Sequence, residues 1–412
     1  MPKVRVVPES VPCECSVYEE IENNINTVMD DVVAALTRPL SEDEKSPQTK
    51  APEETARIVF SGVTDEVNRF FYRQGWGDGL PLIPPTEEAV KEMLTGTDLP
   101  ADHVVGMIVP RLGKATVEKI AINAVMAGAL PIHMPVLIAA VKALVDSKAC
   151  LGTYGTSTGS WAPMWIVNGS IRNEVHINSS SGALSPGDIA NAAVGRAMGL
   201  IIKNIGGARK GVEDMGVLGN PGKYSLVIGE HEEKSPWDPL HVEQGLARDD
   251  SAVSLFFPNS FSQIWPYGSD DKGILSAIIY NLLPAKRGLT CIILTPPQAL
   301  ALSKAGWTKK MIQTFISQNA TAMAYRHPSY WHPREGKEWL PVNAMDSVRL
   351  LRNAELIRVI VAGGPGNFMG IFAGAALEGS GVAWVTKKIE KPADWGRVVN
   401  KYKDLVPHYA LY

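Results

Sequence analysis

The sequence predicts an α/β fold of layered helices and mostly buried strands, with an N-terminal helical arm. Three observations carry that reading. Helix-like and strand-like segments alternate from about residue 100 onward, which favours α/β layers. Several strand candidates are short β-branched runs without clean period-two alternation, as strands covered on both faces are. The 37 Gly and 29 Pro among 412 residues supply many short connections, more than a helical bundle needs.

Composition narrows the class. Hydrophobic residues at 45% and charged residues at 20% are ordinary for a chain that buries a proper core. The length suits two domains. A net charge of −3 without a dense Lys/Arg stripe argues against nucleic acid as a partner. No apolar run approaches a membrane span, and "MPKVRVVPESVPCECS" has no long apolar region of the secretory kind. The four cysteines, Cys13, Cys15, Cys150 and Cys291, are too scattered for a disulfide scaffold, so a cytoplasmic location is expected.

The elements follow in order. Val17, Ile21, Ile25, Val28, Val32 and Ala35 recur at helical spacing, so residues 17–37 read as an amphipathic helix. Residues 38–55 are polar with three prolines and read as a linker. Residues 1–55 therefore form an arm and linker, suited to contact between subunits of a homo-oligomer. A helix ending near Gln74 follows, then a Gly/Pro-rich loop, then a short helix opened by Thr86. "KATVEKIAINAVMAGAL" and "MPVLIAAVKAL" give a helix pair broken at Pro131 and Pro135. "WAPMWIVNGSI", "KYSLVIGE", "SAVSLFF", "LTCIILT" and "LIRVIVAGG" read as strands. The division expected is an α/β domain over 56–215 and a second α/β domain over 216–412, with no internal repeat visible.

Four stretches attract chemistry. In "NSSSGALSPGDIANAAVGRA", Ser185 is placed to cap a helix with Pro186 at its first position, Gly187 behind it and Asp188 three residues after the cap. Asn178, Ser179, Ser180, Ser181 and Gly182 precede that start, where free N–H groups suit a carboxylate or phosphate. The same residues also suit a plain loop. In "GEHEEKSPWDPLHVEQG", His231 and Glu233 share one face of an extended strand end, a pair fit for acid–base work, with Trp237 nearby. No metal signature accompanies them, and no metal ligand is assigned. In "QGWGDGLPLIPPT", Asp78 stands between two glycines on a stiff loop, with Trp76 positioned to face a pocket; turn chemistry alone also accounts for Gly-Asp-Gly. In "VIVAGGPGNFMG", Gly364, Gly366 and Gly370 nearly imitate a dinucleotide loop, but the spacing is off by one and close backbone approach is the better reading. His176 gains interest from its place two residues before Asn178, while His327 and His332 read as structural.

Several of these segments carry a resemblance. "WGDGLPLIPPT", "TVEKIAINAVMAGALPIHMPVLIAAVKAL", "INSSSGALSPGDIANAAVGRAMGLIIKNIGGARKG", "NPGKYSLVIGEHEEKSPWDPLHVEQG" and "GWTKKMIQTFI" resemble a bacterial family associated with the UGSC (seleno)proteins. Those proteins carry a Sec/Cys-Gly-Ser-Cys redox motif on a domain similar to the Sec/Cys-bearing subunits of glycine and betaine reductases. The likeness covers most of residues 65–320. This chain has no Cys-Gly-Ser-Cys, and Ala129 stands where the pattern has Cys after Met-Ala-Gly, so a redox centre would come from a separate redox protein.

Taken with that resemblance, the residues point to a cytoplasmic enzyme acting on a small anionic metabolite by acid/base chemistry of the lyase or hydratase type. Asp78, His176, His231 and Glu233 form the catalytic pool. Trp76, Asn178, Ser179, Ser180, Ser181, Gly182, Gly187 and Trp237 form the substrate-binding set. The alternatives are a substrate-binding component of a thiol- or selenol-dependent reductive system, or a non-catalytic subunit. The sequence names no cofactor.

Overall fold

The computed structural model describes residues 5, 7, 16–46, 56–283, 288–326, 343–351, 353–375 and 383–405. The chain divides into two units, residues 1–61 and residues 62–412. Cys13, Cys15, His327 and His332 lie outside the described residues.

In the first unit, α1 (Tyr18–Thr37) forms where the spacing predicts it. Ile21, Val28, Val32 and Ala35 make a half-buried row, while Val17 and Ile25 from the same expected stripe are exposed. Arg5 holds the helix end: its guanidinium donates to the carbonyl of Ala35 at 2.7 Å and to the Glu44 carboxylate at 2.8 Å. Glu44 lies on α2 (Glu42–Lys45), a turn capped by Ser41 inside the expected linker.

The second unit begins with α3 (Thr64–Arg73) and α4 (Glu87–Leu94), the latter capped by Thr86, whose hydroxyl accepts from Ala89 N at 3.2 Å. The hairpin β1 (Val104–Ile108) and β2 (Gly113–Thr116) follows, then α5 (Val117–Ala127), α6 (Met134–Leu144) and α7 (Leu151–Tyr154). Next come β3 (Met164–Asn168), α8 (Ile171–Glu174), α9 (Ile189–Asn204), β4 (Val227–Gly229), α10 (Leu240–Glu243), β5 (Ala252–Phe256), β6 (Ser260–Ile264) and α11 (Asp271–Asn281). The rest is β7 (Leu289–Leu294), α12 (Pro296–Lys304), α13 (Lys309–Asn319), β8 (Thr321–Met323), β9 (Ser347–Arg349), β10 (Ile357–Val361), β11 (Met369–Ala375), β12 (Val385–Lys388) and α14 (Trp395–Tyr402).

Two four-stranded sheets organise this unit, in the orders β4-β3-β5-β12 and β10-β7-β11-β6. In each, the first pair is parallel and the next two pairs are antiparallel. The chain visits corresponding strands in the same sequence: β3, β4, β5, then β6; and β7, β10, β11, then β12. Each run sends its fourth strand to the other run's sheet. The unit is therefore an internal repeat whose last strands are exchanged.

Alternation along the strands sets the layers. Met164, Ile166, Ile228 and Phe256 share one cluster with Cys291, Ile293, Ile360 and Phe372, so the sheets pack on each other. The opposite faces, Trp165 and Val167 in one sheet and Ile292 and Leu294 in the other, join separate helix-covered cores. The result is a helix–sheet–sheet–helix stack, with the central strands buried on both faces. The division expected at residue 215 fails here. β3 precedes it while its partners β4 and β5 follow it, and cutting there would leave the edges of one sheet unpaired. Among the described residues, no helix is long and apolar enough to cross a membrane.

Candidate functional site

The loop of residues 178–185 is built by two asparagines. Asn178 Oδ1 accepts from Ser180 N at 2.7 Å, and its Nδ2 donates to the carbonyl of Ser181 and to the Asp188 carboxylate. Asn191, buried in the first turn of α9, accepts from Asn178 N at 2.8 Å and donates to the carbonyls of Asn178, Ala183 and Val227. Asn178 thus shapes the loop rather than facing a ligand. The helix also starts later than the sequence suggests. Gly187 has φ +140, outside the helical range, so Asp188 is the N-cap and Ile189 the first helical residue. The entrance expected for an anion therefore carries the protein's own Asp188, whose carboxylate accepts from Asn178 and makes no cap hydrogen bond but places a negative charge at the positive end of α9.

An opening does form, one step to the side. Beyond β10 the chain runs through Ala362–Gly366 and lies against the serine loop: Gly363 N donates to Ser179 O at 2.8 Å. Gly364 fits only without a side chain, because a Cβ there would stand 2.0 Å from Ser181 Oγ. Thr295, at the end of β7, donates from Oγ1 to Gly366 O at 2.5 Å, and Gln298 Nε2 donates to Asn367 O at 2.5 Å. Between the two loops is a cleft of about 520 Å³. Ser181, Gly182 and Ser185 form one wall, and Thr295 and Gly363–Gly366 the other. Ile228, Ile293 and Met369 give it an apolar floor, and Phe261 and Phe368 stand half-exposed at its mouth. Among the described residues, none lining this cleft carries an ionisable side chain.

The four expected catalytic residues lie elsewhere, in three separate settings. Asp78 is a counter-ion. Arg196 on α9 grips its carboxylate at 2.7 and 2.9 Å and also donates to Pro81 O. Burial works to raise the Asp78 pKa, but the Arg196 hydrogen bonds outweigh it and hold the group below the usual carboxylate range. Lys203 and Asn204 donate to the carbonyls of Gly77 and Trp76, so the whole loop is strapped to α9. Trp76 packs edge-on against Phe70 and Phe71, at 5.7 and 5.4 Å, as part of a core.

His176 has φ +60 and borders a small cavity of about 20 Å³ with His133, Asp188 and Tyr402. Burial pushes its pKa down. His133, which is fully buried, is pushed down further, to about 4, by the same cause. Its Nδ1 accepts from Leu130 N at 3.0 Å.

The His231–Glu233 pair is not made as expected. Glu233 accepts from the buried Arg172 at 2.9 Å and from Asn173 at 3.0 Å. Burial opposes ionisation, yet Arg172 holds the carboxyl at about 2. The His231 backbone N–H donates to Val361 O at 2.7 Å, behind the glycine wall of the cleft, and burial lowers the ring's pKa. Its Nδ1 is buried without a partner among the described residues. Trp237 donates to Trp307 O at 2.9 Å and packs away from the cleft.

Sequence reasoning missed Glu230 and Lys309. Both are buried. Lys309 Nζ donates to Glu230 Oε1 at 3.1 Å and to Asp238 O at 2.7 Å, while Glu230 Oε2 accepts from Leu240 N and Asn168 Nδ2, both at 2.7 Å. Lys309 opens a helix far along the chain, so no local spacing announces the pair. Among the described residues, no group of three or more His, Cys, Asp or Glu side chains is placed to hold a metal ion. No family model, curated protein or solved structure matches the chain.

Proposed function

We propose that this chain holds a small anionic metabolite in the cleft between residues 181–185 and 362–370, and that the reacting group comes from a separate protein. One observation carries the reading: the described walls offer hydroxyls, backbone groups and an apolar floor, but no acid, base or thiol. Such a site binds and orients. The resemblance to the UGSC-associated family supports the same division of labour, with a thiol or selenol on a partner. On this reading the chain is cytoplasmic and self-associates through its arm.

The lyase or hydratase reading keeps one support. His231 is anchored to Val361, directly behind the glycine wall, and its lowered pKa leaves a neutral imidazole at pH 7. A single series of experiments separates the two. Ser181→Leu is expected to fill the cleft and abolish ligand binding by the purified chain, with a lowered Tm because Ser181 already packs tightly against Gly364. Turnover is expected only when a thiol or selenol protein is added, and His231→Gln is expected to leave it unchanged. Turnover by the chain alone, lost in His231→Gln, would instead establish acid/base chemistry. Unchanged ligand affinity in Ser181→Leu would remove the cleft from consideration.

A further inference from the structure

The repeated sheets hold two versions of the same place, one open and one closed. Hydrogen-bond register fixes the correspondence. Ala362 N donates to Leu294 O at 3.0 Å, and Glu230 N donates to Val167 O at 3.1 Å. Ala362 in the open copy therefore answers to Glu230 in the closed one. Counting along the paired strands, Thr295 answers to Asn168, Ile293 to Ile166 and Ile228 to Ile360. The fourth strands agree: Phe261 stacks on Phe372 at 4.5 Å, and Trp384 lies on Phe256 at 4.1 Å.

The copies differ in what covers them. In the open copy the link from β10 to β11 is only residues 362–368. In the closed copy the link from β4 to β5 is residues 230–251 and carries α10. That helix packs against β5 and β10. Their counterparts are β11 and β4, the strands that give Met369 and Ile228 to the cleft. Leu240 is consequently 0% exposed and Trp384 6%, whereas Phe261, the counterpart of Trp384, is 50% exposed. Beside Lys309 on the Glu230 carboxylate and the Arg358 guanidinium 5.9 Å over Trp384, the closed copy is occupied by the aliphatic side chain of Leu240 and the carboxylate of Glu230. They are joined, since Leu240 N donates to Glu230 Oε2 at 2.7 Å.

From this internal template we infer that the occupant of the open cleft is a carboxylic acid with a compact apolar body. Its carboxylate takes the place of Glu230 above Ala362, and its body takes the place of Leu240 between Phe261 and the floor of Ile228 and Met369. This rests on the proposed reading of the cleft as a binding site and adds the ligand's chemical class. The volume agrees. A cleft of about 520 Å³ exceeds what a two-carbon acid fills, and the apolar floor would stay wet beneath one. One difference between the copies tempers the affinity. Lys309 opens α13 beside Glu230, but Ile189 opens the corresponding α9, so no cation stands ready for the ligand. Its charge is met by hydroxyl and backbone donors, and binding in the micromolar to millimolar range is expected.

The test is calorimetric titration of the full chain with 4-methylpentanoate, 4-methylpentanamide, acetate and inorganic phosphate. The acid is expected to bind about tenfold or more tightly than acetate, from burial of its hydrocarbon. It is also expected to outbind the amide. Ala362→Glu supplies the carboxylate from the chain itself and is expected to abolish binding; Ala362→Ser is expected to retain it. Should Ala362→Glu fail to fold, Phe261→Ala at the exposed mouth is expected to weaken the acid several-fold while leaving acetate unchanged. Phosphate or the amide binding as tightly as the acid, in competition with it and lost in Ser181→Leu, overturns the carboxylate class while the cleft reading stands. Absence of binding by every probe overturns the inference. Binding of the acid that survives both Ala362→Glu and Ser181→Leu overturns the inference and the cleft reading together.

Discussion

Asp78 shows how one residue changes meaning between sequence and structure. A carboxylate between two glycines looks exposed and reactive, yet Arg196 closes on it with two hydrogen bonds and turns it into a clasp. His133 carries the stronger prediction at this scale. Burial depresses its pKa from 6.5 to about 4, so the folded protein refuses a proton that the unfolded chain accepts. The sign follows from linkage: stability is complete above about pH 6.5 and is lost as pH falls toward 4. The full loss is roughly 3–4 kcal/mol, at about 1.4 kcal/mol per unit. Urea unfolding at pH 7.5 and pH 5 should show most of that difference in the natural chain. His133→Gln should be less stable at pH 7.5 but should lose less between the two conditions. Equal losses in both proteins would mean that His133 takes up its proton without penalty.

Elements were legible wherever a period runs long enough to be counted. The α1 stripe and the body of α9, with Ala193, Ala197, Leu200 and Ile201 buried, follow helical spacing, and the buried strands follow their β-branched runs. The start of α9 was not legible. Ser-Pro reads locally as cap and first turn, whereas Gly187 and the reach of Asn191 across to β4 decide the matter. Nor could local spacing bring Gly363 to Ser179, or Lys309 to Glu230, because those contacts exist only after the sheets assemble. Asn191 is where element and site join. Its amide satisfies one N–H and three carbonyls in buried or half-buried surroundings, so Asn191→Ala leaves several polar groups unpaired at a cost of about 2–4 kcal/mol. The expected result is a lower midpoint in chemical denaturation together with weaker ligand binding, since the 178–185 loop loses its frame. A variant as stable as the natural chain would show that water replaces the amide without loss.

At the scale of the molecule, the repeat escaped the sequence because what repeats is strand order and facing, not residue identity. Glu230 answers to Ala362 and Trp384 to Phe261, pairs that no comparison of letters would align. The exchange of fourth strands has a mechanical consequence. β6 completes the sheet of β7, β10 and β11, and β12 completes the sheet of β3, β4 and β5. Neither half contains a whole four-stranded sheet of its own. A fragment of residues 62–283 would leave β6 without its partner β11 and the outer edge of β5 open where β12 belongs, exposing apolar strand edges prone to pairing with other chains. Expressed alone, each half is therefore expected to aggregate or to unfold without a cooperative transition. Expressed together, residues 62–283 and 284–412 are expected to associate and melt as one unit, because the exchanged strands make each half a template for the other. Cooperative unfolding of residues 62–283 in isolation would show that the first sheet closes without β12, and the two sheets would then have to be regarded as independent rather than interlocked.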